Sequence, residues 1–291
     1  MEIITMKHHI LIHGLLLSLI SGWTLKPAES INVVQAIHSF DQAAQALQAA
    51  TPDTLVLFDI DDTITSPNSK INWAKYKPAR RELVKQAQTA KLPYPLKPDK
   101  FYSDLWRSAD KSSLIEPKII NFIKNLQDRK IPTIALTALY AGPTYFEPYL
   151  PEWRLNDLKG LGIDFSKTAF PDMVFHDIPK DQDGNPTAFY HGLLCSSNLP
   201  KGQILKVFLE RLQQLLSWRP NQIIFFDDLQ DNIKSVSEAM REMHIPFYGY
   251  LYLGAQDLVG KLNPQIAKTQ VEGLYKHNKW LNEQQAAYLS L

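Results

Sequence analysis

The sequence predicts an α/β fold: a largely parallel sheet covered by helices on both faces, three layers in all. Three observations carry that expectation. Short runs that are apolar at nearly every position recur at residues 55–58 (LVLF), 133–136 (TIAL) and 223–226 (IIFF), and continuous runs of this kind mark strands buried on both faces. Helix-period segments lie between them, so strand and helix alternate as they do in βαβ units. Each run also ends in polar residues, namely Asp59, Thr137 and the pair Asp227-Asp228. Right-handed crossovers bring those three ends to one edge of the sheet.

Taken in order, the elements are these. Lys7, His8 and His9 precede an apolar stretch over residues 10–23, and small residues follow at Ala28 and Ser30. A basic flank, an apolar middle and an A-x-S-like exit predict a secretory signal peptide over residues 1–30 and a periplasmic or secreted destination. The apolar stretch is short for a membrane span, which needs about 20 residues, so membrane attachment is expected only if the signal stays uncleaved. Val33, Ile37, Phe40, Ala44 and Leu47 recur at helical spacing up to Ala50, and Pro52-Asp53 breaks the pattern before the first strand. Segment 66–111 predicts two helices, over 79–91 and 101–109. Glu116-Pro117 opens the next, with Pro at its first position and Ile119, Phe122, Ile123 and Leu126 as its apolar stripe. The second strand ends at Thr137. A helix over 152–162 ends at Gly162. Residues 173–178 and 188–195 flank Asp183-Gly184-Asn185, the chemistry of a hairpin turn. Lys201-Gly202 opens a long amphipathic helix that Trp218-Arg219-Pro220 ends. The third strand runs into Asp227-Asp228, a helix follows over 232–244 and a last strand over 247–253, and the tail from Gln256 is helical. The domain division is a core over 31–65 and 112–255, an insertion over 66–111, and a C-terminal helical tail over 256–291.

The chain has 291 residues, 45% of them hydrophobic, and a net charge of +1. A near-neutral balance argues against generic nucleic-acid binding. Charge is uneven, however: residues 70–111 hold eleven Lys and Arg against four Asp and Glu, and a basic surface of this kind attracts anions. The single Cys195 excludes an intrachain disulfide framework and any metal site built on several thiolates.

The densest chemistry lies in residues 58–65 (FDIDDTIT), where Asp59, Asp61 and Asp62 crowd the end of a buried strand. Like charges in a confined site resist ionising together. A divalent cation relieves that repulsion, and an oxygen-rich site suits Mg²⁺. Open α/β sheets also bind their ligands at the carboxyl ends of strands.

With these residues in view, the chain resembles the haloacid dehalogenase-like (HAD) superfamily, in its D-x-D-x-T phosphatase branch, and looks like an exported bacterial member. Asp59-Ile60-Asp61-Asp62-Thr63 matches the first motif, the strand ending in Thr137 the second, Lys201 at the head of a helix the third, and Asp227-Asp228 after a strand the fourth. The resemblance covers roughly residues 55–253. It implies a Rossmann-like three-layer core with a parallel sheet, and a small helical cap inserted between the first and second motifs, where the basic segment 66–111 falls. It implies a Mg²⁺-dependent phosphatase acting on a small phosphorylated substrate. Asp59 would be the nucleophile and Asp61 the general acid and base. Thr137 and Lys201 would hold phosphoryl oxygens. Asp59 and Asp228 would be side-chain metal ligands, Asp61 a ligand through its carbonyl, and Asp227 a further acid beside them. The fourth motif departs from the family's usual Gly-Asp, so the direct ligand among Asp227, Asp228 and Asp231 stays open. Asp62 stands where relatives often carry Gly and is expected to cap the turn. Two other readings share the fold: a phosphotransferase, and a catalytically silent exported module used for binding.

Overall fold

A computed structural model describes residues 31–88, 98–181 and 183–290. The expected signal peptide lies outside the described residues, as do positions 89–91 of the first insertion helix. The chain is an α/β protein whose large, mostly parallel sheet is flanked by helices, a Rossmann-like three-layer arrangement.

In chain order, strand β1 (Asn32–Ile37) leads into a short helix α1 (Ala44–Ala49), and β2 (Thr54–Phe58) carries the first acidic motif. Strand β3 (Thr65–Pro67) opens the insertion, which contains α2 (Lys77–Gln88) and α3 (Pro98–Ala109), and β4 (Ser112–Leu114) closes it. Next come α4 (Ile119–Asp128), β5 (Thr133–Thr137), α5 (Leu150–Gly160), β6 (Met173–Phe175), β7 (Thr187–Tyr190) and β8 (Leu193–Cys195). Helix α6 (Lys201–Leu216), β9 (Gln222–Asp227), α7 (Gln230–Glu242) and β10 (Phe247–Tyr252) complete the core. Helices α8 (Gly254–Leu258), α9 (Pro264–His277) and α10 (Glu283–Leu289) form the tail.

The sheet order is β1-β10-β9-β2-β5-β8-β7-β6. It is parallel from β1 to β8, and antiparallel where β7 meets β8 and β6. Because strand side chains alternate between faces, the apolar runs feed two separate cores. Leu55, Leu57, Ile134, Leu136, Ile223 and Phe225 pack on one face with α6 and α7. Val56, Phe58, Ala135, Ile224 and Phe226 pack on the other with α1 and α4. A strand read as uniformly apolar is thus two alternating stripes, each with its own helical layer.

Three expectations are corrected. Residues 33–37 form an edge strand, parallel to β10, instead of a helix; helix begins only after Ser39, which caps a 3₁₀ turn at Phe40–Ala43. Val33 and Ile37 sit four apart by coincidence. Val33 and Val34 are β-branched and pair with an available sheet edge, and tertiary pairing overrides a short helical pattern. Residues 188–195 are two strands instead of one. The chain reverses at His191-Gly192, where φ is +45° and +88°. A Cβ on Gly192 would lie 2.2 Å from the Phe165 carbonyl oxygen, so this turn needs glycine. The second half, β8, then joins β5 in parallel. Helix α4 starts two residues later than expected, after Lys118.

The insertion leaves and rejoins the core through the antiparallel pair β3 and β4. Its helices do not stand alone. Ala267, Val271 and Leu274 of α9 form one apolar cluster with Ile71, Ala87 and Tyr102. Asp110 binds this layer below: it accepts from Ser69 Oγ (2.8 Å) and Asn72 Nδ2 (2.8 Å), and Gln270 of α9 donates to Ser69 Oγ (3.1 Å).

Candidate active site

Strands β2 and β9 are neighbours, and their register pairs Phe58 with Phe226. The two rings stack at 4.9 Å between centroids, and the Asp59 amide donates to the Phe226 carbonyl at 2.8 Å. One residue further on, the two-residue period turns Asp59 and Asp227 to the opposite face, the face covered by α6. Lys201, the first residue of α6, stands there. Gly202 lets α6 approach α7: a Cβ at this position would lie 2.0 Å from the Ser235 carbonyl oxygen.

The resulting centre is compact. Lys201 is 2% exposed, and its Nζ donates to Asp59 Oδ1 at 2.5 Å and Asp227 Oδ2 at 2.7 Å. The two carboxylates raise its pKa to about 12 against the opposing effect of burial. Asp227 is fully engaged: it also accepts from the Leu229 amide (2.8 Å) and from Asn232 Nδ2 at 3.0 and 3.1 Å. Asp228 differs, since no donor reaches its carboxylate among the described residues. Asp59, Asp227 and Asp228 each offer an oxygen such that all three atoms lie within 4.8 Å of one another. Burial, followed by the charges of Asp59 and Asp227, pushes the Asp228 carboxyl far above the usual carboxylate range. Burial also raises Asp59, with Lys201 opposing. Three carboxylates facing one ammonium leave an excess of negative charge and a free set of hard oxygen donors, and this fits a divalent cation such as Mg²⁺. Asp228 and Asp59, whose oxygens keep lone pairs to spare, are the groups with capacity left to hold it, whereas Asp227 is spent on Lys201, Leu229 and Asn232. Asp231 is exposed on the first turn of α7, apart from the group.

The other residues expected in the site surround this centre. Thr137 ends β5, next to β2, and is 1% exposed; its Oγ1 accepts from the Leu139 amide at 3.3 Å. Asp61 stands two residues beyond Asp59 with its side chain 57% exposed, and Arg154 from α5 donates to its Oδ1. Asp62 takes a left-handed conformation, φ +58°, and its Oδ2 accepts from the Ala74 amide at 2.9 Å. Burial lifts its carboxyl to about 6. It therefore ties the first motif to the entrance of the insertion, twelve residues along the chain, instead of capping its own turn. Arg154 went unnoticed at the level of sequence. It is 5% exposed and bridges Asp61 and Asp157, yet nothing in the local sequence Trp153-Arg154-Leu155 separates it from an ordinary helix arginine.

Fold and site together define an α/β protein with an aspartate–lysine centre at the carboxyl edge of its parallel sheet. The chain belongs to the family described as "Protein of unknown function (DUF2608)", whose model matches residues 36–287. It is 26% identical over 246 residues to an uncharacterized protein of Rickettsia prowazekii, covering 81% of this chain and 82% of that one. It is 24% identical over 240 residues to a Chlamydia pneumoniae protein named "Putative outer membrane protein", covering 81% and 84%. A Chlamydia trachomatis protein of the same name is 26% identical over 136 residues, covering 47% and 46%. No solved structure matches the chain. Among the described residues no helix is long and apolar enough to cross a membrane.

Proposed function

We propose that this chain is a Mg²⁺-dependent phosphomonoesterase that works through an aspartyl-phosphate on Asp59. The observation that carries the reading is the convergence of Asp59, Asp227, Asp228 and Lys201 on adjacent strand ends, with Thr137 at the next. A core packed for stability alone gains nothing from two buried carboxylates and a half-buried third around one lysine. The order of these residues along the chain is that of the phosphatase motifs they resemble.

In this reading Lys201 fixes one oxygen of Asp59 and leaves the other to attack phosphorus. A new P–O bond forms to Asp59, the ester P–O bond breaks, and the departing alkoxide takes a proton from Asp61. Water then attacks the phosphorus of the aspartyl-phosphate and gives its proton to Asp61. The P–O bond to Asp59 breaks, and inorganic phosphate leaves. Arg154 holds Asp61 on the wall of the cleft during both steps. A Mg²⁺ held by Asp59 and Asp228 would supply neutralisation of the phosphate charge. Asp227 holds Lys201 in place from the other side.

Export, to the periplasm or beyond the cell, belongs to the same proposal. It is supported by the basic, apolar and small-residue order of positions 7–30 and by the names of the two chlamydial relatives. The test is turnover of a panel of phosphate esters with Mg²⁺ and with chelator, for wild type and Asp59→Asn. Mg²⁺-dependent phosphate release that the variant loses is expected, together with uptake of beryllium fluoride only where Asp59 and Mg²⁺ are both present. If wild type releases no phosphate and takes up no mimic, the enzyme reading is wrong and a silent binding module takes its place.

A further inference from the structure

Beside Asp61 and Asp62 of the first acidic motif, a cavity of about 360 Å³ opens between the core and the basic insertion, at the lower end of the roughly 300–1,000 Å³ typical of small-molecule pockets. Asp61 and Arg154 line it from the core, and Arg80, Trp106 and Arg107 line it from α2 and α3. The chemistry described for Asp59 and Asp61 makes no use of the three arginines as a set.

Their pairing is unequal. Arg107 has Asp104 at 2.9 Å. Arg154 has Asp61 and Asp157, but its Nε is buried with no hydrogen-bond partner. Arg80 has no carboxylate within ion-pair distance among the described residues. Its Nη1 donates only to neutral oxygens, those of the Ile71 carbonyl (3.1 Å) and the Asn72 side chain (3.4 Å). Burial and the neighbouring cations Arg81 and Arg107 all push its pKa down, and the one acid acting on it, Asp62, is the weakest influence and already holds the Ala74 amide. The Trp106 ring carries Arg80 at 5.3 Å and Arg107 at 5.7 Å from its centroid, so the two guanidinium groups share one aromatic support. A half-buried cation with like charges beside it and no carboxylate at ion-pair distance among the described residues is costly to keep. The missing partner is an anion, and the planar fork of a guanidinium suits a phosphate or a carboxylate.

We propose that this cleft receives a second anionic group of the substrate, so that the natural substrate is a phosphomonoester whose alcohol part bears a further phosphate or carboxylate, held by Arg80 with Arg107 beside it. The proposal rests on the phosphatase reading for the position of the first phosphate. It does not rest on that reading for the arginine site itself.

The test uses pairs of esters that differ by one anionic group: glycerol phosphate against phosphoglycerate, and a hexose monophosphate against the corresponding bisphosphate. Affinity is measured by calorimetry with Mg²⁺ on full-length Asp59→Asn protein, which does not consume the ester, and turnover is measured on wild type. In at least one pair the doubly anionic member should bind at least about tenfold more tightly, the increment expected of a charge-assisted contact. Arg80→Gln should bring the ratio of the two affinities close to one, and Arg80→Lys should keep part of it. Equal affinities within both pairs overturn the inference, even if Arg80→Gln does not fold. A preference that survives in folded Arg80→Gln overturns the assignment to Arg80. Turnover of monophosphates without any preference removes this inference alone. A preference for the doubly anionic ligand without turnover of any ester removes the phosphatase reading and leaves the arginine site in place.

Discussion

Replacing Lys201 with Met tests the electrostatic logic of the centre most directly. Met keeps most of the aliphatic length and removes only the ammonium. In wild type that ammonium is 2% exposed and reaches Asp59 at 2.5 Å and Asp227 at 2.7 Å. Without it, two carboxylates of almost no exposure, with Asp228 beside them, face one another with no cation. Breaking a buried ion pair by removing one partner costs about 3–5 kcal/mol. For a chain of this size roughly 2–4 °C of melting temperature goes with each kcal/mol, so Lys201→Met should melt about 6–20 °C below wild type in chelator at pH 7. The deficit should shrink on acidification, because protonated carboxyls need no partner. It should shrink again when Asp227→Asn is added, because the charge left without a partner is then smaller; the two single losses should therefore fail to add. Differential scanning calorimetry on the two single variants and the double variant measures all of this. A Lys201→Met protein that melts within about 2 °C of wild type, less than one kcal/mol on this scale, would refute the view that Lys201 neutralises the centre.

Three further outcomes follow from the same geometry. In chelator, wild-type stability should fall as pH rises from about 4 through neutrality, because the raised Asp59 and Asp228 carboxyls make the folded state bind more protons than the unfolded one; Mg²⁺ should restore more at pH 8 than at pH 5, and a melting temperature in chelator that climbs over this range contradicts the assignment. Gly202→Ala should destabilise by several degrees or prevent folding, since its Cβ would meet the Ser235 carbonyl oxygen at 2.0 Å; a thermal melt equal to wild type would show that α6 and α7 part easily. Arg154→Gln should lower turnover of an alkyl phosphate more than that of an aryl phosphate, because it releases Asp61, whose proton matters most for a poor leaving group; equal losses for both esters would assign Arg154 a structural role only.

The central layer was legible in the sequence because its signals are local. Three runs apolar at nearly every position, each closing on a polar residue, suffice for three parallel strands and a common edge, and β2, β5 and β9 occupy the three central positions of one continuous stretch of that sheet. Of the outer strands, β10 and β6 stand where apolar, turn-bounded runs place them, but β1 and the division of β7 from β8 were not legible. For β1, Val33 and Ile37 satisfy a helical spacing as well as an extended one, and only the open edge of β10 decides between them. For β7 and β8, the reversal rests on His191 and Gly192 alone, two residues without the Asn-Gly signature of a tight turn.

The same divide runs through the site. Asp59, Asp227, Asp228 and Lys201 announce themselves because acids at the ends of buried strands and a lysine opening a buried helix are unusual in composition. The spending of Asp227 on Lys201, Leu229 and Asn232, which leaves Asp228 with free oxygens, is a matter of hydrogen-bond geometry that spacing does not reveal. Arg154 and Arg80 look like ordinary surface arginines of amphipathic helices. Their meaning comes from what lies across the cleft.

The insertion and the tail, far apart in sequence, form one physical unit, and this bears on how the site is covered. Apolar side chains of α9 complete the cluster that α2 and α3 begin. Polar ties run the same way, from the Lys70 amide to Glu283 at 2.8 Å and from Gln270 to Ser69 at 3.1 Å. The basic helices above the centre are therefore anchored at three places: the β3–β4 stalk, the Asp62–Ala74 bond and the tail. On the far side of the cleft, Lys100 of α3 donates to the Tyr140 hydroxyl at 2.7 Å and Asp104 accepts from the Tyr145 amide at 3.1 Å, which joins the insertion to the loop that follows Thr137. The Phe101 ring of α3 adds contacts with the rings of Tyr145 (5.4 Å) and Phe146 (5.5 Å) on the same loop. The stalk, the tail and this loop hold the insertion from several sides, and together they fix where Arg80 stands relative to Asp61.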